Sequence, residues 1–148
     1  MEIIIRKAGI EDIDALVVLM DHLLNIEGDF PNFERQQRKG FHMVIESNES
    51  EIFVAEADGA VAGMCSLHRH ISTVQGGYTG IVEDVVVAQE HTGSGIAGAM
   101  MEYIEKYAKK AGMTRLQLMV GSDNIPAVSL YKKHGWEETK YVGFRKYI

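Results

Sequence analysis

The stretch His-Thr-Gly-Ser-Gly-Ile-Ala-Gly-Ala-Met, residues 91–100, spaces its glycines as GxGxxG from Gly93 to Gly98. It follows the apolar run Val85-Val86-Val87 and leads into Met100, Ile104, Ala108 and Ala111, which recur on one helical face. A strand, a glycine loop and a helix in that order set backbone N–H groups at a helix N-terminus, whose partial positive charge suits phosphate oxygens. The stretch therefore predicts a phosphate-bearing ligand without naming it.

Spacing argues against two well-known loops. A dinucleotide fingerprint turns directly from strand into glycine, stands early in a long alternating unit, and meets a ribose-holding acid about 20 positions on. Here residues 88–92 intervene before Gly93, only 50 residues follow Gly98, and Asp123, the next acid after a strand, lies 30 positions beyond Gly93. A P-loop requires a Gly-Lys-Ser/Thr ending, which this stretch lacks.

Outward from the loop, periodicity predicts the remaining elements. Ile3 to Arg6 reads as a short strand, and Ile13, Leu16, Val17, Met20, Leu23 and Leu24 mark a helix within residues 11–24. Residues 29–32 break the chain, and residues 33–46 form a second helix that buries Phe41, Val44 and Ile45. Residues 51–57 and 60–71 flank Asp58-Gly59, a dipeptide suited to a two-residue hairpin turn, so they pair antiparallel. Residues 78–87 make the next strand, apolar on both faces at its end and hence interior. Gly112 ends the helix after the glycine loop, and residues 115–120 return as a strand parallel to residues 78–87 through a right-handed crossover. Ser122, Asp123 or Asn124 caps a helix with Pro126 in its first turn, Gly135 closes it, and two more strands, residues 137–142 and 144–147, complete the order.

The 148 residues, 46% of them hydrophobic, suffice for one domain burying roughly 68–70% of its unfolded surface. A net charge of −6 gives no broad basic footprint for nucleic acid or anionic membrane. The single cysteine, Cys65, sits in an apolar run and is expected to be a packing residue in a reducing compartment. The apolar run at residues 3–5 is too short for a signal peptide and no 18-residue apolar segment occurs, so a cytoplasmic protein is expected.

Two separated signatures resemble the GNAT superfamily of acetyl-CoA-dependent N-acetyltransferases. The cofactor loop of that family reads Arg/Gln-x-x-Gly-x-Gly/Ala, and Thr92-Gly93-Ser94-Gly95-Ile96-Ala97 matches its last four positions. A second signature, Asn-x-x-Ala-x-x-apolar-Tyr-x-x-x-Gly-aromatic, is matched throughout by residues 124–136, from Asn124 through Ala127 and Tyr131 to Trp136. Both occur in family order and spacing, and Glu83-Asp84-Val85-Val86-Val87 is similar to a strand of glucosamine-6-phosphate N-acetyltransferases. The resemblance implies a single N-acetyltransferase domain over residues 1–148. Its fold would be α+β, with a mixed, mostly antiparallel sheet of six to seven strands flanked by about four helices.

The resemblance also implies roles. Glu83 would be the base that takes a proton from the acceptor amine, and Tyr131, a phenol protonated at neutral pH, the acid that protonates the departing thiolate. A bulge in this strand, splaying it from the next parallel one, would leave backbone N–H groups at Val85 and Val87, with Val86 between them, to hold the pantetheine and polarise the thioester, and Asn124 would bond the pantetheine. Thr92 stands where the family has Arg or Gln, and Ser94 where Lys or Arg is frequent, so pyrophosphate binding leans on the amides of Gly93, Ser94, Gly95, Ile96, Ala97 and Gly98. Asp84 is Glu83's neighbour; since successive strand side chains alternate, only one of the two faces the acceptor unless a bulge intervenes.

Each residue has a plainer reading: Glu83 as a solvated strand residue, Tyr131 as core, Asn124 as an N-cap alone. His68 and His70 share a strand face, but no third ligand accompanies them, so no metal is expected; a basic edge facing an anionic acceptor is the alternative, and a solvated basic edge is the ordinary reading. The link at residues 29–33 lies where the family commonly shapes its acceptor pocket, so the resemblance implies that Asp29 or Glu27 would attract an ammonium group. The function expected is acetyl transfer from acetyl-CoA to a primary amine of a small metabolite, with a protein amine as the alternative acceptor. A non-catalytic CoA-binding module is the alternative outside enzymes. Oligomeric state stays open, although dimers are common in the family and the terminal strands are natural places for pairing.

Overall fold

The computed structural model describes residues 1–28, 31 and 33–148. Five strands form one sheet in the order β1-β2-β3-β4-β5: β1 (Ile3–Lys7), β2 (Ser50–Ala57), β3 (Ala60–Ser72), β4 (Gly77–Val87) and β5 (Leu116–Leu118). Neighbours pair antiparallel except β4 and β5, which run parallel because a helix crosses between them. The helices are α1 (Ile13–Glu27), α2 (Glu34–Ile45), α3 (Ile96–Lys110) and α4 (Ile125–Lys133). Asp58 and Gly59 both adopt positive φ, +50° and +85°, as a two-residue turn between twisted antiparallel strands demands.

Strand alternation divides the core between the two sheet faces. Phe53, Leu67 and Val82 point to one face, where Ile96, Met100 and Ile104 of α3 cover them. Ile52, Val54, Met64 and Val86 point to the other, under Leu16, Leu19 and Leu23 of α1 and Phe41 of α2. The sequence periodicity therefore sorted the faces of α1, α2 and α3 as expected. Arg6 ties the start of α1 to the sheet through Asp12 at 2.7 Å and Glu56 at 2.6 Å, and this guanidinium holds the Asp12 carboxyl below its ordinary range.

Two expectations fail at the C-terminal side. The strand expected over residues 115–120 is ordered as a ladder only at Leu116–Leu118, and residues 137–148 form no strand, so the sheet has five strands rather than six or seven. A strand needs a partner to take its N–H and C=O groups, and β5 offers a three-residue edge. Tyr141, Val142 and Phe144, whose apolar character prompted the strand assignment, remain exposed. The residues Asp29, Phe30 and Asn32 of the expected break between the first two helices lie outside the described residues. Among the described residues, no helix is long and apolar enough to cross a membrane.

Phe53 is fully buried and meets Tyr103 and Tyr107 of α3 edge-on, with ring centroids 5.3 and 4.9 Å away. Phe53→Ala removes this anchor between β2 and α3. It is expected to lower stability by about 3–5 kcal/mol, read from the shift of the urea midpoint at unchanged slope.

Candidate active site

The site forms where the sheet opens. β5 pairs with β4 only from Gly80↔Leu116 to Val82↔Leu118, so β4 runs on from Glu83 to Val87 with no parallel neighbour. On its other side β4 is bulged: Ser66 pairs with Glu83 and Met64 with Val86, leaving Asp84 and Val85 opposite Cys65 alone. Asp84 takes φ +55°, a left-handed conformation that aspartate tolerates better than most residues. The Ala88 N–H bonds the Ala62 carbonyl at 2.8 Å, so alternation turns the Val85 and Val87 N–H groups away from β3, toward the gap left by β5. Val86 is turned inward, packed beside Met64 in the α1-side core.

The bulge puts both acids on one sheet face, beside Ser66 and His68. Asp84 Oδ2 lies 3.4 Å from Ser66 Oγ and Glu83 Oε2 lies 3.8 Å from His68 Nε2, while Ser66 and His68 are themselves joined at 3.1 Å. Simple alternation would have sent one carboxylate to the α3 face. The family resemblance implied a bulge in this strand, but an extra residue leaves no residue-type signature, so the sequence left open how Glu83 and Asp84 would be turned. Ser66, buried within β3, was also missed.

Their environments differ. Glu83 is half exposed, its side chain 55% accessible. The Asp84 carboxyl is pushed up to about 6 from its ordinary 3.8, first by burial and then by the negative charges of Glu83 and Glu27, against lowering by Ser66 and His68. Tyr131, on α4, is buried and its phenol is pushed up to about 12 by burial, Cys65 and Glu27. Glu27, the last residue of α1, thus acts electrostatically on both Asp84 and Tyr131. Cys65 is fully buried and its thiol is raised by burial and by Asp84, which fits the expected packing role.

Beside the gap stands the glycine loop. Gly93 and Gly95 have φ +77° and +88°, which side chains other than glycine rarely adopt. The Thr92 and Ser94 amides are engaged by the Gln89 and His91 carbonyls, so the expected amide cradle reduces at Ser94 to its side chain. Ser94 Oγ is buried without a protein partner. Ile96, Ala97 and Gly98 form the first turn of α3, whose N–H groups have no carbonyl one turn back to accept them. Gly98 also permits packing: a β-carbon there would sit 3.1 Å from His134 at the end of α4. Free amides and an unsatisfied hydroxyl fit a phosphate ligand.

Asn124 caps α4, its side chain accepting the Ala127 N–H at 3.3 Å. Its amide NH2 keeps two donors beyond that bond. No group of three metal-ligating side chains occurs among the described residues.

The model of the acetyltransferase (GNAT) family matches residues 20–136. The chain belongs to this family. GNAT relatives include the aminoalkylphosphonate N-acetyltransferase of Salmonella typhimurium, 26% identical over 137 residues, covering 93% of this chain and 86% of that one. An uncharacterized N-acetyltransferase of Methanocaldococcus jannaschii is 29% identical over 103 residues, 69% of this chain, which spans 46% of that protein's length. Among solved structures, a predicted acetyltransferase from Clostridium acetobutylicum with acetyl-CoA superposes with a TM-score of 0.79 at 21% identity, covering 97% and 96% of the two chains. The glucosamine-6-phosphate N-acetyltransferase of Arabidopsis thaliana superposes with a TM-score of 0.78 at 21% identity, covering 99% of both. The protein is thus a GNAT N-acetyltransferase using acetyl-CoA, with a mixed α+β sheet fold.

The raised Asp84 carboxyl has a consequence for stability. The folded chain holds this proton up to about pH 6 while the unfolded chain releases it near 3.8, so stability falls as pH rises through that window. Asp84→Asn removes the charge and still tolerates positive φ. It is expected to be the more stable protein near neutrality by at most about 3 kcal/mol, with the gain vanishing below about pH 4, where both forms are neutral, in urea titrations across pH.

Proposed function

We propose that this GNAT enzyme acetylates a primary amine of a small, cationic metabolite, with Glu83 and Asp84 receiving the amine and Tyr131 serving the leaving sulfur. The observation that carries this reading is the β4 bulge, which turns two adjacent carboxylates toward one cleft beside an unpaired strand segment. Glu27 adds a third acidic residue from α1. An acidic cleft concentrates an ammonium ion, and an enclosed carboxylate with a pKa near the working pH is the better proton acceptor. Glu83, half exposed, fits the outer position that orients the ammonium, and Asp84 the inner position that takes its proton.

Acetyl-CoA supplies the thioester. The first-turn amides of Ile96, Ala97 and Gly98, the Gly93–Gly95 turn and Ser94 Oγ would hold its diphosphate, and Asn124 its pantetheine. The Val85 and Val87 N–H groups, which β5 does not satisfy, would polarise the thioester carbonyl. Tyr131, kept protonated by its burial, has a proton to give.

A panel of small amines, with thiol release as readout, tests the reading. At least one polyamine-like or amino-substituted metabolite is expected to turn over, and acetylation restricted to peptide amines would replace small acceptors with a protein substrate. For the accepted amine, kcat/KM should rise with pH through about 6 as Asp84 loses its proton, a limb that Asp84→Asn abolishes together with a loss of roughly 10²–10⁴-fold in rate. Tyr131→Phe is expected to lower kcat by roughly 10²-fold while leaving CoA affinity, measured by calorimetry, within about twofold of the parent. Equal turnover in the variant removes Tyr131 as the acid.

A further inference from the structure

Acetylation of an ammonium group releases one proton overall. The N–C bond forms, the C–S bond breaks, one ammonium proton passes to Asp84, and the amide nitrogen's second lost proton ends on sulfur by way of Tyr131. Asp84 must then shed its proton before the next turnover. It is half-buried, flanked by Glu83 on its own strand and by Cys65, Ser66 and His68 of β3, and lies within the electrostatic reach of Glu27 on α1.

We propose that Ser66 and His68 are the path by which this proton leaves, from Asp84 Oδ2 to Ser66 Oγ, from Ser66 Oγ to His68 Nε2, and from the imidazole to water. The inference rests on the proposed function, in which Asp84 is the base. Its geometry is continuous: 3.4 Å from Asp84 to Ser66 and 3.1 Å from Ser66 to His68. Strand alternation puts Ser66 and His68, two residues apart, on the same face as the bulged carboxylates. The path crosses from half-buried Asp84 through buried Ser66, 3% exposed, and ends at His68, whose side chain is 29% exposed.

Ser50 completes the arrangement. It lies opposite His68 in the β2–β3 register, with its Oγ 2.9 Å from His68 Nδ1. An Nδ1–H donated to Ser50 leaves the Nε2 lone pair facing Ser66, the tautomer a relay requires. In the transfer the Asp84 O–H bond breaks as Ser66 gains that proton and gives its own to Nε2. Glu83 Oε2, 3.8 Å from Nε2, steadies the imidazolium that forms. Cys65 beside Asp84 has its thiol raised by burial and by that carboxylate. Water takes the imidazolium proton and the hydroxyl rotates back.

Ser66 and His68 are therefore positioning residues that act through Asp84, and buffer rescue separates that role from a structural one. With both substrates saturating, the parent's kcat is expected to be independent of buffer concentration. His68→Ala should lower kcat roughly ten- to a hundredfold in dilute buffer at unchanged acetyl-CoA KM, and added imidazole should restore it to within about threefold. Ser66→Ala should show the same loss while Ser66→Thr, which keeps the hydroxyl, retains activity; this pair decides the matter if His68→Ala fails to fold. Full kcat in His68→Ala or Ser66→Ala, or a loss that no imidazole concentration recovers, overturns the path while leaving the proposed function standing. A parent that acetylates no amine overturns the function, and the path with it.

Discussion

Everything at this site follows from a mismatch of one residue between two strands. β4 must pair with β3 through Met64 on one side of the bulge and Ser66 on the other, yet it spends two residues, Asp84 and Val85, against Cys65. The extra residue re-aims the Asp84 side chain and changes the direction of the strand. β4, paired with β5 from Gly80, has no β5 partner past Val82. The bulge puts a pair of carboxylates on one face, and the end of β5 at Leu118 leaves the following β4 amides without a parallel partner. The left-handed backbone of Asp84 is one of only two such non-glycine positions among the described residues, and the other, Asp58, is an ordinary hairpin turn.

The surrounding fold is organised to hold that irregularity. Val86, just past the bulge, is buried with Met64 beneath α1, so β4 is re-anchored at once after its excursion. On the opposite face Val85 and Val87 pack toward the α3 cluster. α1 ends at Glu27 because Gly28 takes φ +66° and closes the helix on the Leu24 carbonyl. Where the helix stops decides which acid reaches the cleft, and so capping by one glycine sets part of the electrostatics of the site.

Some of this was legible in the sequence and some could not be. The Asp58-Gly59 hairpin, the helical faces of α1 and α3, and the parallel return to β5 are local or period-based signals, and each is carried by residues adjacent in the chain. The loop at Gly93–Gly98 and the helix at Asn124–Gly135 matched family signatures for the same reason: turn geometry and capping demand particular residue types at fixed offsets. The bulge was implied by the family resemblance alone, because its cause is one extra residue of β4 against β3 that no single segment displays. The final strands were misjudged for the opposite reason. Tyr141, Val142 and Phe144 have strand-like character, but propensity cannot supply the partner edge that a ladder needs.

Asp84 and Tyr131 show how one environment can prepare two opposite proton functions. Both are pushed upward, and for the same leading reason, burial, reinforced in each case by Glu27. What differs is the starting point. A carboxyl raised from 3.8 to about 6 is still mostly ionised at neutral pH but holds a proton far more readily than a solvated carboxylate. A phenol raised from 10.0 to about 12 is locked in its protonated form. The same desolvation thus raises the proton affinity of the carboxyl that must accept and keeps the phenol that must give in its protonated form at neutral pH, and the cost of keeping Asp84 charged there is the stability that its neutral replacement should recover.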